Sequence, residues 1–444
     1  MDTRDLSGEG WRVMVGSCLD RMKELPDSSV DAVVTDPPYE LGFMGKSWDS
    51  SGIAFKTDVW LECLRVLKPG GHLLAFGGSR TWHRIAVAVE DAGFQIRDSV
   101  AWLYGSGFPK SLDVSKAIDK AAGVEREVVT ETVADIFGER EEQQETTDRR
   151  EDGTTYGLGH SGKVFSGEAI TEDAVKWQGW GTALKPAFEP VIVGRKPLVG
   201  TVAANVLEYG TGGLNIDGTR IGTDGNTAGA TRGTEERNAL RKTLNGAFGK
   251  PVEGLGRWPS NVVLDEFTAG LVDEQSGMSS TSTTKTGRYE SRSEFGGGQI
   301  NIRHNDIGGA SRFFYVAKAS KRDRNEGLDD FKERQKIGYS YSDEPNDPAN
   351  GMFKDRNTVS KNFHPTVKPT DLMRQLVRLV TPPGGVVLDP FTGSGSTGKA
   401  AILEGFEFIG CELTEEYLPI IEGRLNHAVA TVKAEQDREE EKLF

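Results

Sequence analysis

The stretch VDAVVTDPPY, residues 30–39, decides how the chain folds. Its first half, Val30–Val34, is a short apolar run that predicts a buried strand. Its second half, Asp36–Tyr39, joins a carboxylate to two prolines, which predicts a rigid turn at the carboxyl end of that strand. Doubly wound α/β folds bind their ligands at this end of the strands, so we expect Asp36–Tyr39 to lie at a functional site.

Strand and helix patterns alternate after this stretch and alternate again near the C-terminus. The alternation predicts an α/β fold with a mostly parallel, doubly wound sheet. Because the two regular regions lie far apart in sequence, we expect their strands to join in one split core. The predicted helices are Val59–Leu67, Trp82–Ala92, Val114–Ala122, Leu372–Val380, Ser396–Glu404 and Glu415–Asn426, and the predicted strands are His72–Phe76, Phe94–Tyr104, Phe188–Val193, Val262–Leu264, Phe313–Val316, Val386–Leu388 and Phe406–Gly410.

The composition is that of a water-soluble globular chain, with 36% hydrophobic and 27% charged residues among 444. No apolar run reaches the roughly 18 residues that a membrane span needs, and the polar, acidic start at Met1–Gly10 is unlike a secretory signal. The cysteines Cys18, Cys63 and Cys411 form no CxxC pair. We therefore expect a cytoplasmic protein without membrane partner, disulfide or metal.

A second apolar run near the C-terminus ends in a glycine-rich turn, VVLDPFTGSGST at residues 386–397. Gly393 and Gly395 allow a tight strand-to-helix turn whose backbone approaches a ligand closely. The same stretch fits the G-x-x-x-x-G-K pattern of P-loop nucleotide triphosphatases, with Lys399 at the phosphate-binding position. That pattern needs a hydroxyl next, as a magnesium ligand, where this chain has Ala400. The triphosphatase is therefore the weaker alternative, and it leaves the D-P-P-Y loop unexplained.

The two motifs together resemble those of the DNA methyltransferases that modify adenine N6 or cytosine N4. The D-P-P-Y loop precedes the glycine loop, an order that resembles the permuted β-class, and Trp177–Pro197 looks like a core segment of phage and prophage DNA methylases. The resemblance covers roughly residues 11–122, 176–200 and 360–428. It implies a Rossmann-like methyltransferase sheet, S-adenosyl-L-methionine (SAM) as the cofactor and double-stranded DNA as the substrate.

The resemblance gives the D-P-P-Y loop a specific chemistry. An exocyclic amino group is a poor nucleophile, because its lone pair is delocalised into the ring. The Asp36 carboxylate and the Pro37 carbonyl are each expected to accept one N–H of that group. Pro38 stiffens the turn, and Tyr39 offers a flat face to a base flipped out of the duplex. The catalytic residues are therefore expected to be Asp36, Pro37, Pro38 and Tyr39, acting by direct methyl transfer.

The cofactor is expected to contact both motifs and a third segment, HPTVKP at residues 364–369. This segment resembles the family's H-P-T-x-K-P sequence, which places Thr366 and Lys368 near the methionine end of SAM. Glu412, after the next predicted strand, is expected to bind the ribose hydroxyls. The full expected set is Thr35, Asp36, Pro365, Thr366, Lys368, Asp389, Pro390, Phe391, Gly393, Ser394, Gly395, Ser396, Thr397 and Glu412.

The target base follows from the resemblance less directly. Within the family D-P-P-Y is more typical of adenine-N6 enzymes, so adenine is the first expectation and cytosine N4 the alternative. A cytosine-C5 enzyme needs a nucleophilic cysteine after a proline, and none of the three cysteines follows one. A binding-only protein with a vestigial site is disfavoured by the two intact motifs. RNA stays open as a substrate, because the motifs recognise cofactor and base rather than sugar.

The middle of the chain is expected to recognise DNA. The net charge is −14, but nine Lys/Arg stand against four acids between Lys285 and Arg324, and a local basic surface suffices to bind phosphates. The nucleic-acid contacts are expected at Lys46, Arg288, Arg292 and Arg303, with Tyr209–Gly309 ordered by DNA. A homodimer is left open, and a restriction endonuclease would be a separate chain in the bacterial or phage setting of the family. The expected domains are a catalytic half at 11–122, an acidic insertion at 123–175, a core segment at 176–200, a target-recognition insertion at 201–360, a SAM-binding half at 361–428 and an acidic tail at 429–444.

Overall fold

A computed structural model gives the fold of this chain. It describes residues 5–41, 49, 51–105, 107, 111–126, 130–131, 164–165, 168–222, 256–280, 307–318, 320–335 and 359–441. The described residues divide into two compact units. One lies within 1–106, 187–331 and 364–444, and the other within 107–186 and 332–363.

The larger unit is built on one ten-stranded sheet. Its strands are β1 (Leu6–Gly8), β2 (Trp11–Val15), β3 (Val30–Thr35), β4 (Leu67–Phe76), β5 (Gln95–Leu103), β8 (Phe188–Arg195), β9 (Val262–Asp265), β12 (Tyr315–Ala317), β15 (Val386–Asp389) and β16 (Glu407–Glu412). Their order in the sheet is β1-β2-β16-β15-β3-β4-β8-β5-β9-β12. Six of the nine strand pairs are parallel, while β1 and β8 pair antiparallel with their neighbours. The remaining strands are two-residue pairs: β6 (Thr130–Glu131) with β7 (Val164–Phe165), β10 (Ser279–Ser280) with β11 (Ile307–Gly308), and β13 (Arg334–Gln335) with β14 (Val359–Ser360).

Helices cover both faces of the large sheet, as a doubly wound fold requires. Successive residues of a strand point to opposite faces. Accordingly Val34 of β3 packs in one apolar cluster with helix residues such as Leu376, and Val33 packs in the other with residues such as Trp60. The described α-helices are α1 (Cys18–Arg21), α2 (Thr57–Val66), α3 (Trp82–Asp91), α4 (Val114–Ala121), α5 (Glu172–Lys176), α6 (Val202–Tyr209), α7 (Glu266–Ser276), α8 (Lys321–Asn325), α9 (Thr370–Val380), α10 (Ser396–Leu403) and α11 (Leu418–Glu441).

The split core predicted from the sequence is present. Strand β15 pairs in parallel with β3, with Leu388 opposite Val33, although the two residues come from opposite ends of the chain. Asp31 reinforces this junction because its buried carboxylate accepts the Val386 N–H at 2.9 Å and the Lys68 ammonium at 2.6 Å. The three strands β3, β4 and β15 are thereby held in register around one side chain.

Two predicted boundaries differ from the structure by more than three residues. Strand β4 begins at Leu67 and not at the predicted His72, because Leu67 already pairs with Val30, and an irregularity in the ladder accommodates the three extra residues of β4 before His72 pairs with Ala32. The helix expected to stop at Asn426 continues to Glu441, through most of the stretch expected as an acidic tail. Its later turns are exposed, so the apolar pattern that located the helix fades before the helix ends.

The smaller unit contains α4 and α5 and is organised around a buried carboxylate. Asp119 accepts the backbone N–H groups of Ile170 and Thr171 and pairs with Arg126 at 2.6 Å. These bonds hold the start of α5 against α4.

Three negative findings apply to the described residues. No helix among them is long and apolar enough to cross a membrane. No group of three or more His, Cys, Asp or Glu side chains in the described ranges is arranged to hold a metal ion. The cysteines Cys18, Cys63 and Cys411 are buried free thiols.

Candidate active site

The two sequence motifs meet at one edge of the sheet. Strands β3 and β15 are parallel neighbours, so the turns that follow them leave the sheet on the same side. The Thr35 hydroxyl, at the end of β3, donates a 2.6 Å hydrogen bond to Oδ1 of Asp389, at the end of β15. Both side chains are buried. The structure therefore brings together the D-P-P-Y loop and the glycine loop, which lie more than 350 residues apart in the sequence.

Asp36 has one engaged and one open carboxylate oxygen. Its Oδ2 accepts a 2.7 Å hydrogen bond from Nζ of Lys368, with which it also forms an ion pair. Its Oδ1 is buried and has no hydrogen-bond partner among the described residues. A buried acceptor without a partner carries an energetic cost, so such an atom calls for a donor that arrives with a ligand. The loop thus presents one acceptor that is ready for an N–H or O–H group.

Lys368 is the centre of a four-residue polar cluster, which we call the lysine cluster: Asp36, Tyr39, Glu189 and Lys368. The ammonium lies 2.7 Å from Asp36, 3.1 Å from the Tyr39 hydroxyl and 3.2 Å from Oε2 of Glu189. The Tyr39 hydroxyl in turn donates to Glu189 at 2.7 Å. Each of the three donors of the ammonium therefore has an acceptor.

The charges of the lysine cluster determine its protonation. Burial lowers the pKa of Lys368, but Asp36 and Glu189 outweigh that effect and raise it, so the ammonium stays charged. Burial raises the pKa of Asp36, Lys368 opposes the rise, and the charge of Glu189 adds to it. The pKa of Tyr39 is also raised by burial and by the two carboxylates, which keeps the phenol protonated.

Tyr39 is held from the backbone as well as from its hydroxyl. The Thr81 hydroxyl donates to the Tyr39 carbonyl at 2.9 Å. A Cβ atom at Gly78 would lie 3.1 Å from Cδ2 of the Tyr39 ring, so the absence of a side chain there leaves room for the ring. The ammonium of Lys368 lies 5.2 Å from the ring centre. The ring that we expected to stack on a base is thus fixed in position at several points.

The glycine loop is held by carboxylates from two strands. Asp389, at the end of β15, accepts the Phe391 N–H at 3.0 Å. Glu412, at the end of β16, accepts the Gly393 N–H at 2.7 Å through Oε2 and the Thr414 N–H at 2.7 Å through Oε1. Gly393 and Gly395 have φ values of 55° and 75°, which glycine adopts without strain. The loop therefore needs both glycines for its path and Glu412 for its anchoring.

Burial shifts both of these carboxylates. It raises the pKa of Glu412 to about 7, although the N–H groups of Thr414 and Gly393 act in the opposite direction. It raises the pKa of Asp389 to about 6, against hydrogen bonds from the hydroxyls of Thr35 and Thr397. Two carboxylates that are costly to bury thus lie next to each other at the edge where the motifs meet.

The HPTVKP segment packs against the glycine loop. The His364 ring stacks edge-on against Tyr417 with centroids 4.5 Å apart, and its Nε2 lies 3.0 Å from where a Cβ would stand on Gly393. Burial lowers the pKa of His364 to about 3, so the ring is neutral. The Ser396 hydroxyl donates to the Lys368 carbonyl at 3.1 Å, which ties the segment to the start of α10. The Lys368 side chain reaches the D-P-P-Y loop, whereas Thr366 is exposed.

A buried arginine holds the glycine loop by hydrogen bonds. Nη1 of Arg424, on α11, donates to the Ser394 carbonyl at 2.7 Å and to the hydroxyls of Ser394 and Ser396. Arg424 is fully buried, and burial lowers its pKa to about 10. The serines of the glycine loop, which we expected near a cofactor, are therefore engaged with Arg424 as well.

Lys399, the residue that would bind phosphate in a P-loop, points elsewhere. Its ammonium is buried and pairs with Asp323 at 2.7 Å and Glu326 at 2.9 Å. Gly398 has a packing role, because a Cβ there would come within 2.6 Å of Phe408. The G-x-x-x-x-G-K pattern is thus explained by helix packing and a structural ion pair, which speaks against the triphosphatase alternative.

Three residues of this site are not predicted from the sequence. Glu189 is predicted only as part of a core strand, and its signal is a lone carboxylate in an apolar strand. Arg424 lies in a predicted helix that also carries acidic residues, so its charge gives no signal. Asp323 was counted among the acids of the basic stretch. Of the predicted DNA contacts, Lys46, Arg288, Arg292 and Arg303 lie outside the described residues.

A family model for DNA methylases of the N6/N4 type matches residues 30–137 and 284–423. The two matched stretches span more than half of the chain and contain the D-P-P-Y loop, the HPTVKP segment and the glycine loop. This chain belongs to that DNA methylase family.

Individual relatives match over shorter stretches. The DNA adenine methyltransferase YhdJ of Escherichia coli K12 is 45% identical over 65 residues, which are 15% of this chain and 22% of the relative. The type II methyltransferase M.ScaI of Streptomyces caespitosus is 39% identical over 70 residues, 16% of this chain and 23% of the relative. The chain thus spans about a fifth of the length of these curated relatives. The solved PvuII cytosine-N4-specific DNA methyltransferase aligns over 93% of this chain and 86% of its own, at 13% identity and a TM-score of 0.38.

The ion pairs of Lys399 lead to a prediction. Replacing it in Lys399→Met should lower the free energy of unfolding by about 2–3 kcal/mol, because Asp323 and Glu326 lose their shared partner; their partial exposure keeps the loss below that of a fully buried pair. Lys433→Met removes an exposed ion pair with Glu9 and should change stability by less than about 0.5 kcal/mol. Urea denaturation of both variants measures the difference. Equal stability of the two variants would contradict the structural role of Lys399.

Proposed function

We propose that this chain is a SAM-dependent DNA methyltransferase that methylates N6 of adenine after the base has been flipped out of the duplex. The observation that carries the proposal is the open Oδ1 of Asp36, a buried acceptor beside the anchored glycine loop. Family membership supports the same reaction class. The alternative target is N4 of cytosine.

The donor set at the glycine loop fits SAM. An adenosyl group offers ribose hydroxyls, and Glu412 is a buried carboxylate whose oxygens each retain acceptor capacity beside their backbone N–H bond. Gly393 and Gly395 give the loop its tight left-handed path between β15 and α10. We assign Glu412, Asp389 and the loop Phe391–Thr397 to cofactor binding, together with Thr35 and the segment Pro365–Lys368. Bound SAM supplies an electrophilic methyl group on a sulfonium.

The D-P-P-Y loop supplies the positioning for the reaction. Oδ1 of Asp36 accepts one N–H of the target amino group, and the Pro37 carbonyl accepts the other. Both bonds favour a tetrahedral geometry at the nitrogen, whose lone pair is then no longer delocalised into the ring and is available as a nucleophile. The alkylated nitrogen is cationic and must lose a proton, and Asp36 is the carboxylate that accepts it. Pro38 keeps the two acceptors in place, and Tyr39 packs against the base.

Adenine is preferred over cytosine on the D-P-P-Y sequence, which the resemblance associates with N6 enzymes. A matching relative, YhdJ, is a DNA adenine methyltransferase by its description, which supports the same choice. DNA is proposed as the substrate on family membership. The basic stretch 285–324 is proposed to contact its phosphates.

The triphosphatase alternative gains no support from the site. Its lysine is occupied by two carboxylates, and Ala400 lacks the hydroxyl that would bind magnesium. The cytosine-N4 alternative uses the same residues in the same roles and differs only in the base that is held.

Asp36 provides the first test of this function. Asp36→Ala should lower the rate of methyl transfer to DNA by at least about 10²–10³-fold, because it removes the acceptor that positions the nucleophile. SAM affinity should stay within a few-fold of the wild type, since the other cofactor contacts remain. Single-turnover transfer of labelled methyl and calorimetric SAM binding measure the two quantities. Asp20→Ala, at an exposed position of α1, is the matched control. A variant with near-wild-type turnover would overturn the catalytic role of Asp36.

Glu412 provides the second test, which concerns the cofactor. Glu412→Gln should weaken SAM binding by roughly 10- to 150-fold, the equivalent of about 1.5–3 kcal/mol for a charge-assisted hydrogen bond. Because only the ionised carboxylate accepts two hydrogen bonds at each oxygen, the SAM affinity of the wild type should fall as the pH decreases below the Glu412 pKa of about 7. The variant should lack that component of the pH dependence.

Calorimetry across pH, without magnesium, measures both effects. Glu416→Gln, an exposed acid near the start of α11, should bind SAM as the wild type does. Equal affinities for the Glu412 and Glu416 variants would remove Glu412 from the cofactor site.

A further inference from the structure

Glu189 reaches the active edge from the start of its strand, whereas the parallel strands reach that edge at their ends. Strand β8 runs antiparallel to β4, with Val191 opposite Phe76, the last residue of β4. An antiparallel strand begins at the edge where its parallel neighbours end. Its first residues therefore lie beside the D-P-P-Y turn, and the Pro190 carbonyl accepts the N–H of Gly77 there at 2.9 Å. Glu189 lies at this edge because β8, in the middle of the described sheet, runs antiparallel to both of its neighbours.

We propose that Glu189 is a positioning residue for methyl transfer: it anchors the Tyr39 hydroxyl and shares the Lys368 ammonium with Asp36, which leaves Oδ1 of Asp36 open as an acceptor. The inference rests on the proposed function, since it assigns Glu189 to that reaction. The residues that it holds are the catalytic carboxylate and the catalytic aromatic ring.

Within the lysine cluster Glu189 makes two contacts. Its Oε2 accepts from the Tyr39 hydroxyl at 2.7 Å and lies 3.2 Å from Nζ of Lys368. Its side chain is only 18% exposed, and that of Lys368 is 8% exposed. Water screens such contacts weakly, so each of them fixes the partner's position.

The charge balance of the lysine cluster depends on Glu189. With Glu189 present, one ammonium faces two carboxylates, and the cluster retains a negative charge. Without it, Lys368 would pair with Asp36 alone, and the undivided positive charge would make Asp36 a weaker proton acceptor. Glu189 thus keeps Asp36 both in place and able to accept the proton that leaves the methylated nitrogen.

Other ionisable groups also face this cluster. Tyr104, from the end of β5, hydrogen-bonds to Glu189, and burial and that carboxylate raise its pKa to about 12. Asp389 lies on the other side of Thr35, and its charge and that of Asp36 repel each other. Tyr104 is neutral near pH 8. A change of charge at Glu189 therefore acts on Asp36 both directly and through the shared Lys368 ammonium.

The test compares three variants of the full chain. Glu189→Gln removes the charge, Glu189→Asp keeps the charge on a shorter side chain, and Tyr39→Phe removes the hydroxyl but keeps both carboxylates. Glu90→Gln, an exposed acid on α3, is the matched control. SAM binding by calorimetry, expected within about threefold of wild type for every variant, establishes that each is folded and that cofactor contacts are intact.

Single-turnover transfer of labelled methyl to duplex DNA is then measured across pH. Glu189→Gln should lower the plateau rate by roughly 10–100-fold through lost positioning, and its acid limb should move to lower pH, because Asp36 loses a neighbouring negative charge. Glu189→Asp should lose rate but keep the acid limb of the wild type. Tyr39→Phe should also lose rate, and its acid limb should move to higher pH, because the Tyr39 hydroxyl lowers the pKa of Asp36. An acid limb that does not move in Glu189→Gln, or a rate equal to that of Glu90→Gln, would overturn the proposal.

A readout without substrate separates this inference from the proposed function. The carboxyl ¹³C resonance of Asp36, identified by its absence in Asp36→Asn, should titrate at lower pH in Glu189→Gln than in the wild type. If the wild-type chain transfers no methyl group to DNA, the proposed function fails and the role of Glu189 in it fails too. If the wild type is active and the titration of Asp36 is unchanged in Glu189→Gln, only the Glu189 proposal fails.

Discussion

The structure depends on the pairing of β3 with β15 and on the hydrogen bond that closes it, from the Thr35 hydroxyl to Asp389. Each strand carries one motif in the turn at its carboxyl end, and neither motif forms a site alone. Because the strands are parallel neighbours, the D-P-P-Y loop and the glycine loop necessarily face the same space. Asp31 adds a second link at the other end of the pair, where it accepts the Val386 N–H. The long separation in sequence is thus bridged by backbone pairing and two buried side chains.

The chemistry of the site depends on how three side chains share the ammonium of Lys368. Lys368 has three donors, and Asp36, Glu189 and Tyr39 take one each. That division gives each of the four side chains of the lysine cluster a partner, and within the cluster it leaves Oδ1 of Asp36 without a hydrogen-bond partner among the described residues. Buried polar groups are normally paired, and a site that keeps one acceptor unpaired pays a stability cost that a bound substrate can recover. The same arrangement accounts for a lysine and a glutamate, Lys368 and Glu189, that lie far from the Asp36–Tyr39 loop in the sequence.

The sequence predicted the fold well where periodic patterns were strong. The family and the α/β class are confirmed, because Val30–Val34 and Val386–Leu388 are apolar runs followed by unmistakable turns. The predicted start of β4 at His72 was wrong. The segment Lys68–Gly71 has turn composition, and only the pairing of β4 with β3 on either side of that segment draws it into the strand. Glu189 and Arg424 were out of reach for a physical reason: each acts through contacts between distant segments, and single-sequence patterns report only local neighbours. The assigned roles of the catalytic and cofactor residues stay predictions.

The central claim is that the open acceptor of Asp36 serves methyl transfer to an exocyclic amino group. The most direct measurement incubates the full chain with SAM that carries a ¹³CD₃ methyl group and with duplex DNA, digests the DNA and identifies labelled nucleosides by mass spectrometry. We expect label in N6-methyldeoxyadenosine. Label in N4-methyldeoxycytidine would keep the mechanism and correct the base, whereas DNA without label on either amino group would contradict the account.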